Sequence, residues 1–220
     1  MNDIFSILSH IIQSRRSIKP AKMNGRKIPD EEVKEILKLA NWAPTHGRTE
    51  PWRFIVYSGD KVREFCHSHA ELYKANTSPE KFEQGSYDKQ LHNGDLASHL
   101  IIAIMQRGNS PKIPVLEEIA ATAIAVQNIL LGATAKGIAS FLSTSGMTHT
   151  PAMKNFLKLR DEDTIIGLVY LGYSDERIEG KRQTEMEHKV TWASWFHFIP
   201  AERLTLCHKE RQGLEFAMFQ

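Results

Sequence analysis

Apolar positions recur at helical intervals from the start of the chain. Ile4, Phe5, Ile7, Leu8, Ile11 and Ile12 predict an amphipathic helix over residues 3–14. Arg15, Arg16, Ser17, Ile18 and Lys19 then leave it, and Pro20 prevents its continuation. A second helix is predicted over 30–42. Pro29 suits its first turn, Asp30, Glu31 and Glu32 complement the positive end of its dipole, and Val33, Ile36, Leu37 and Ala40 form its apolar stripe. Strand-like runs follow at 52–57, 99–106, 138–144 and 165–170. The run at 99–106 is too uniformly apolar to alternate, so both its faces should be buried. Helices are predicted over 60–75 and 79–92, broken at Asn76, Thr77, Ser78 and Pro79, with Gly85 weakening the second. Another runs from Thr150, its cap, through about residue 159.

The pattern over 114–136 is different. Pro114, Glu117 and Glu118 mark a helix start, and Lys136 and Gly137 its end. Between them Ile119, Ala120, Ala123, Ile124, Val126, Ile129, Leu130 and Leu131 leave almost no polar face. Such a helix must be covered on several sides, and a subunit interface is the expected place. Strands alternating with helices predict an α/β or α+β sheet of about four strands wrapped by helices. Beyond Gly172 the chain turns polar and then aromatic, through Trp192, Trp195, Phe196 and Phe198.

Composition narrows this picture by exclusion. The 220 residues are 41% hydrophobic and 25% charged, an ordinary globular balance, with a net charge of +2 that argues against a nucleic-acid footprint. Two cysteines, Cys66 and Cys207, are too few for a disulfide scaffold. No uninterrupted apolar run approaches the ~20 residues of a membrane span, and the N-terminus lacks the order of a secretory signal. The expectation is a cytoplasmic protein.

Chemistry is sparse. Arg15, Ser17 and Lys19 would share one side of an extended segment, and guanidinium and hydroxyl groups suit phosphate; a solvated basic turn is the plainer reading. The loop Pro44-Thr45-His46-Gly47-Arg48-Thr49-Glu50-Pro51 is polar and proline-bounded, fit either for a ligand or for a plain connection into Trp52. Cys66 and His69 share a helical face but lack further ligands at metal spacing, so no metal is expected. Asp95, His99 and a serine do not make a hydrolase without a G-x-S-x-G elbow. No phosphate loop or dinucleotide fingerprint is present. The stretch ending in Leu142, Ser143, Thr144, Ser145 and Gly146 is small and polar enough for a planar ligand to approach, or for a simple turn.

Taken in order, these pieces resemble the nitroreductase family of FMN-dependent oxidoreductases. The matching residues are Arg15-Arg16-Ser17 with Lys19, Ala40-Asn41-Trp42-Ala43-Pro44, Glu50-Pro51-Trp52-Arg53-Phe54, the helix from Glu117 with Gln127-Asn128 at its centre, the stretch closing at Gly146, and Ile166-Gly167-Leu168-Val169-Tyr170-Leu171-Gly172-Tyr173. The resemblance implies an α+β fold with a central mixed sheet of four to five strands, and a homodimer with FMN at its interface. It assigns residues 1–193 to the FMN-binding domain and 194–220 to an extension packed on that domain or its partner. It implies NAD(P)H as reductant and a flat acceptor such as a nitroaromatic or quinone, used in ping-pong order. Dehalogenation, dehydrogenation, flavin fragmentation and non-catalytic flavin binding are the alternatives.

By the same resemblance Arg15 and Ser17 hold the ribityl-phosphate side, Arg16 is a further cofactor-binding residue, and Lys181 with Arg182 makes a second phosphate contact. Lys19, the one catalytic candidate, lies near flavin N1 and O2. His46 and Arg48 sit in a flavin-contacting loop, Leu142, Ser143 and Thr144 lie along the ring, and Trp42 approaches from the second subunit. Arg48, Glu50 and Leu142 depart from the residues common in the family, which are Asn, Gln and Trp.

Overall fold

The computed structural model describes residues 3–193, and the chain divides into two units between Gly180 and Lys181. The first unit is built on four strands, β1 (Trp52–Ser58), β2 (His99–Met105), β3 (Ala139–Ser143) and β4 (Thr164–Gly172), in the order β1-β2-β4-β3. Six helices accompany them: α1 (Ile4–Ser14), α2 (Asp30–Ala40), α3 (Asp60–Asn76), α4 (Gln84–His92), α5 (Val115–Ala135) and α6 (Pro151–Phe156).

All three strand ladders are antiparallel, where a mixed sheet was expected. The parallel component is a single bridge, Ser17 to Ser140, because the segment after α1 meets β3 for only one residue pair. Every residue of β2 is buried, as its uniform apolarity requires. Residues of β2 and β4 alternate between two cores. Ile101, Ala103, Val169 and Leu171 pack with α2 and α5, while Leu100, Ile102, Leu168 and Tyr170 pack with α3 and α6.

The element boundaries follow local chemistry. Thr150 caps α6, its hydroxyl accepting the Met153 N–H at 3.4 Å. That helix stops at Phe156, short of the predicted residue 159, and Lys158 adopts φ +54°. The segment 79–92 is a 3-10 turn followed by α4, so the break lies before Gly85.

Helix α5 presents one face to the first core through Ala121, Ala125, Val126, Ile129 and Ala133. Its 21 residues are long and apolar enough to cross a bilayer, contrary to the expectation that no segment is, yet this face is committed to the sheet. The opposite face is bare in the single chain, with Leu116 74% and Ile124 41% exposed. α1 buries none of its residues, and Ile4, Phe5, Leu8 and Ile12 are all exposed. The second unit contributes described residues 181–193, with a 3-10 turn at Met186–Lys189. Cys207, Trp195, Phe196, Phe198 and the expected extension 194–220 lie outside the described residues.

Candidate active site

The segment after α1 is extended and lies against β3. Ile18 N–H donates to Ser140 O at 2.9 Å, and Ile18 is buried while Ser17 and Lys19 are exposed. The Arg15 guanidinium donates to Ser17 Oγ at 3.4 Å, so these two side chains share a side. Arg16 points elsewhere. Its guanidinium donates to the carbonyls of Gln13, Arg15 and Ile178, which straps residues 174–180 to the end of α1. Lys22 reinforces that strap through Glu176 at 2.8 Å. A cavity of about 540 Å³ opens beside it, lined by Arg16, Ile18, Thr134, Ile138 and Ser174.

β3 supplies the next group. Leu142 is partly exposed and lies across Gly167 of β4, where a Cβ would stand only 2.6 Å from Leu142 Cδ1. Ser143 is buried and its hydroxyl pairs with Ser145 Oγ at 3.0 Å, while Thr144 is exposed. Arg15, Ser17, Lys19, Leu142, Ser143 and Thr144 therefore gather along one edge of the sheet.

Trp42, His46 and Arg48 do not join them. They lie between α2 and β1, which forms the other edge. Trp42 is 84% exposed beside an apolar groove formed with Leu8, Ile11, Leu39, Leu131 and Ala135. His46 opens a 3-10 turn, and its Nδ1 meets Glu117 of α5 at 2.5 Å. The loop is strained and tightly tied: Gly47, Arg48 and Glu50 have φ of +58°, +54° and +43°. The Thr45 and Thr49 hydroxyls pair at 2.9 Å, and Arg53 donates to Glu50 O at 2.8 Å. A Cβ at Gly47 would stand 2.8 Å from Ile113 Cδ1, so that side chain would have to move aside. Trp52 anchors the loop in the core and donates from Nε1 to Asn41 Oδ1 at 3.1 Å.

The ladder register measures the separation. Ser140 aligns with Leu171, then His99, then Ser58, whereas the 46–50 loop enters β1 at Trp52. From ordinary strand spacing and rise, the loop's entry at Trp52 lies about 14 Å across the sheet from β3; it lies about 20 Å along the sheet from Ser140 but only about 10 Å from Ser143, which aligns through Leu168 and Ile102 with Ile55. The two groups stand at opposite edges of the sheet. Lys181 and Arg182 are exposed at the start of the second unit.

Several functional-looking residues have structural partners. Cys66 is buried, its Sγ 3.7 Å from the Tyr170 hydroxyl, and burial pushes its thiol pKa up to about 11. Burial likewise drives the Tyr170 phenol well above its usual value. His99 does not pair with Asp95, which meets His92 at 2.8 Å instead. Its partners are Ser98 Oγ at 2.9 Å and Asp30 Oδ1 at 3.0 Å. Ser98 Oγ also accepts the Ile28 N–H at 2.7 Å. This buried chain ties the start of α2 to β2. Arg107 pairs with buried Glu118, and Asp163 receives Arg160. Burial would raise the Asp163 pKa, but hydrogen bonds from Arg160 and the Arg107 N–H outweigh it and hold the carboxyl low.

A model of the nitroreductase family matches residues 12–173. The chain belongs to that family. Among its relatives, YfhC of Bacillus subtilis, which carries the name NAD(P)H nitroreductase, is 26% identical over 186 residues, covering 84% of this chain and 94% of YfhC. The 4-nitrobenzoate reductase of a Nocardioides strain is 24% identical over 203 residues, covering 75% and 79% of the two chains. The fold matches a nitroreductase-like protein from Bacillus cereus with a TM-score of 0.70 at 25% identity, covering 84% of this chain and 95% of that one. It also matches the FMN-dependent nitroreductase NfnB of Mycobacterium smegmatis, solved with NADPH, with a TM-score of 0.65 at 17% identity over 87% of this chain and all of NfnB.

Proposed function

We propose that this nitroreductase is an NAD(P)H-dependent FMN oxidoreductase that works as a homodimer and reduces a flat acceptor, a nitroaromatic or a quinone, in ping-pong order. The observation that carries the reading is the split site. Phosphate- and ring-contact candidates occupy the β3 edge of each chain, and the strained loop with Trp42 occupies the β1 edge. A second copy related by a twofold axis would bring its loop from the β1 edge to the β3 edge of the first. The bare apolar faces of α1 and α5 supply a surface for that pairing. The names of YfhC and of the 4-nitrobenzoate reductase support the donor and the acceptor class.

The residues fit FMN. The Arg15 guanidinium and Ser17 hydroxyl stand 3.4 Å apart on an accessible edge, a donor pair suited to phosphate oxygens. Leu142, laid flat over Gly167, offers an apolar surface to a planar ring. Bound FMN would accept a hydride from NAD(P)H and deliver it to the acceptor. Lys19, exposed on the same edge, would supply a cation for negative charge on the reduced flavin. Cys66 and the Ser98–His99–Asp30 chain are spent on structure.

Steady-state turnover of NADH and NADPH with a nitrobenzoate and with a quinone tests the proposal. Parallel double-reciprocal lines are expected; intersecting lines contradict the ping-pong order, and absence of turnover with every pair contradicts the activity.

A further inference from the structure

The turn that closes β3 is backed by two buried polar side chains that none of the roles above uses, and one of them, His69, bonds to it. Gly146 adopts φ +67°, and a Cβ there would stand 2.4 Å from Gln90 Oε1 and 2.7 Å from His69 Nε2. His69 is 2% and Gln90 4% exposed. Met147 N–H donates to His69 Nε2 at 2.9 Å. On the other side of the turn, Ser145 N–H donates to Ser143 Oγ at 3.4 Å, and Thr148 Oγ1 donates to Ser145 O at 2.6 Å. Between these anchored peptides the Gly146 N–H has no acceptor among the described residues. The Gln90 amide nitrogen donates to Ser86 O at 3.1 Å, which fixes that amide, and its oxygen is left without a donor of its own.

A backbone N–H locked from both sides needs no reorganisation when a partner arrives. We propose that His69 is a positioning residue for flavin reduction: by accepting the Met147 N–H it fixes the turn of Ser145, Gly146 and Met147, and so holds the Gly146 N–H ready for the cofactor lying along β3. This rests on the flavin reading above. The role requires neutral His69, since only an unprotonated Nε2 accepts. Burial keeps it neutral, lowering its pKa to about 4. Around it stand the Phe65 ring of its own helix at 5.9 Å, Gln90 of α4, and Gly146 and Met147 of the turn, and the titratable groups nearest this turn are Tyr73 of its own helix and Lys89 of α4, which line the cavity beside Gln90 and Gly146.

The test uses the full chain loaded with FMN, with flavin reduction followed under NADPH or NADH. His69→Leu removes the acceptor, and the reduction rate should fall at least about tenfold with a shifted flavin midpoint potential. FMN affinity should change less than the rate. His69→Gln places an amide oxygen near the same point, so it should restore the rate to within about threefold of wild type. The wild-type rate should drop as pH falls below about 5 while the Gln variant keeps its rate there, because Gln has no proton to gain. A folded, FMN-loaded Leu variant with unchanged rate and potential overturns the proposal. If the Leu variant does not fold, the Gln variant decides alone: an acid drop as large as that of wild type overturns it. Wild type that takes up no FMN overturns the flavin reading itself, before either variant is compared.

Discussion

Ser17 and Ser140 pair in parallel, the single parallel contact among the described residues of an otherwise antiparallel sheet, and the neighbouring Ile18 N–H closes it on Ser140 O at 2.9 Å. The contact sets a direction for each side chain around it. Ile18 enters the core, while Ser17 and Lys19 stay on the surface along the β3 edge. A basic segment that could have been a solvated turn is instead registered against the strand that carries Leu142 and Ser143.

That registration predicts which half of a flavin nucleotide Arg15 serves. Arg15→Ala should weaken FMN by roughly ten- to a hundredfold, the cost of one charge-assisted hydrogen bond. Riboflavin, lacking the phosphate, should lose little. Fluorescence titration with both ligands checks this, and equal losses would move Arg15 out of the phosphate site.

Lys19 is assigned to the reduced state rather than to binding. Lys19→Met keeps the stem and removes the charge, so the midpoint potential of bound FMN should fall, by ~30 mV for a tenfold differential loss. Reduction by NAD(P)H should slow in parallel. Spectroelectrochemistry that returns the wild-type potential would remove Lys19 from the catalytic role.

The bare faces of α1 and α5 predict a dimer whose interface exceeds the ~1,600 Å² standard size. Ile124→Glu places a charge at the centre of that face and should shift sedimentation toward monomer, with loss of bound FMN because the site loses its second half. A wild type that sediments as a stable monomer at micromolar concentration would contradict the composite site.

Acid stability should carry the mark of His69. Its folded pKa of about 4 lies below the ordinary 6.5, so between those values the unfolded chain binds the extra proton. Stability is then fully present above about pH 6.5 and is lost as pH falls toward about 4, by up to roughly 3 kcal/mol. Urea unfolding of wild type and His69→Gln across that window should show a slope in the first that is reduced in the second.

Much of the architecture was legible in the sequence because apolar periodicity and terminal chemistry agree there. α2 begins at Asp30 beside Pro29, and β2 is as apolar as a doubly covered strand must be. Alternation along an extended segment also led to the expectation that Arg15, Ser17 and Lys19 share a side. Strand direction was less legible, since a helix between two strands does not dictate parallel pairing when the strands are not joined by a right-handed crossover. The partners of buried histidines were not legible at all. His99 selects Asp30, distant in sequence, over nearby Asp95, and His69 acts through a backbone N–H that no side-chain pattern announces. The one clue to the latter was Gly146 after a run of small residues, a position whose positive φ and crowded underside exclude other side chains. The division of the site between two sheet edges became visible only once the strand order was known.

Anaerobic titration of the FMN-loaded protein with NADPH, and in parallel with NADH, tests the central claim most directly. The account predicts that the flavin absorbance bleaches with one or both donors and returns on addition of a nitroaromatic or quinone, with one flavin per chain in a dimer. A protein that retains no FMN, or whose bound flavin neither donor bleaches, would contradict it.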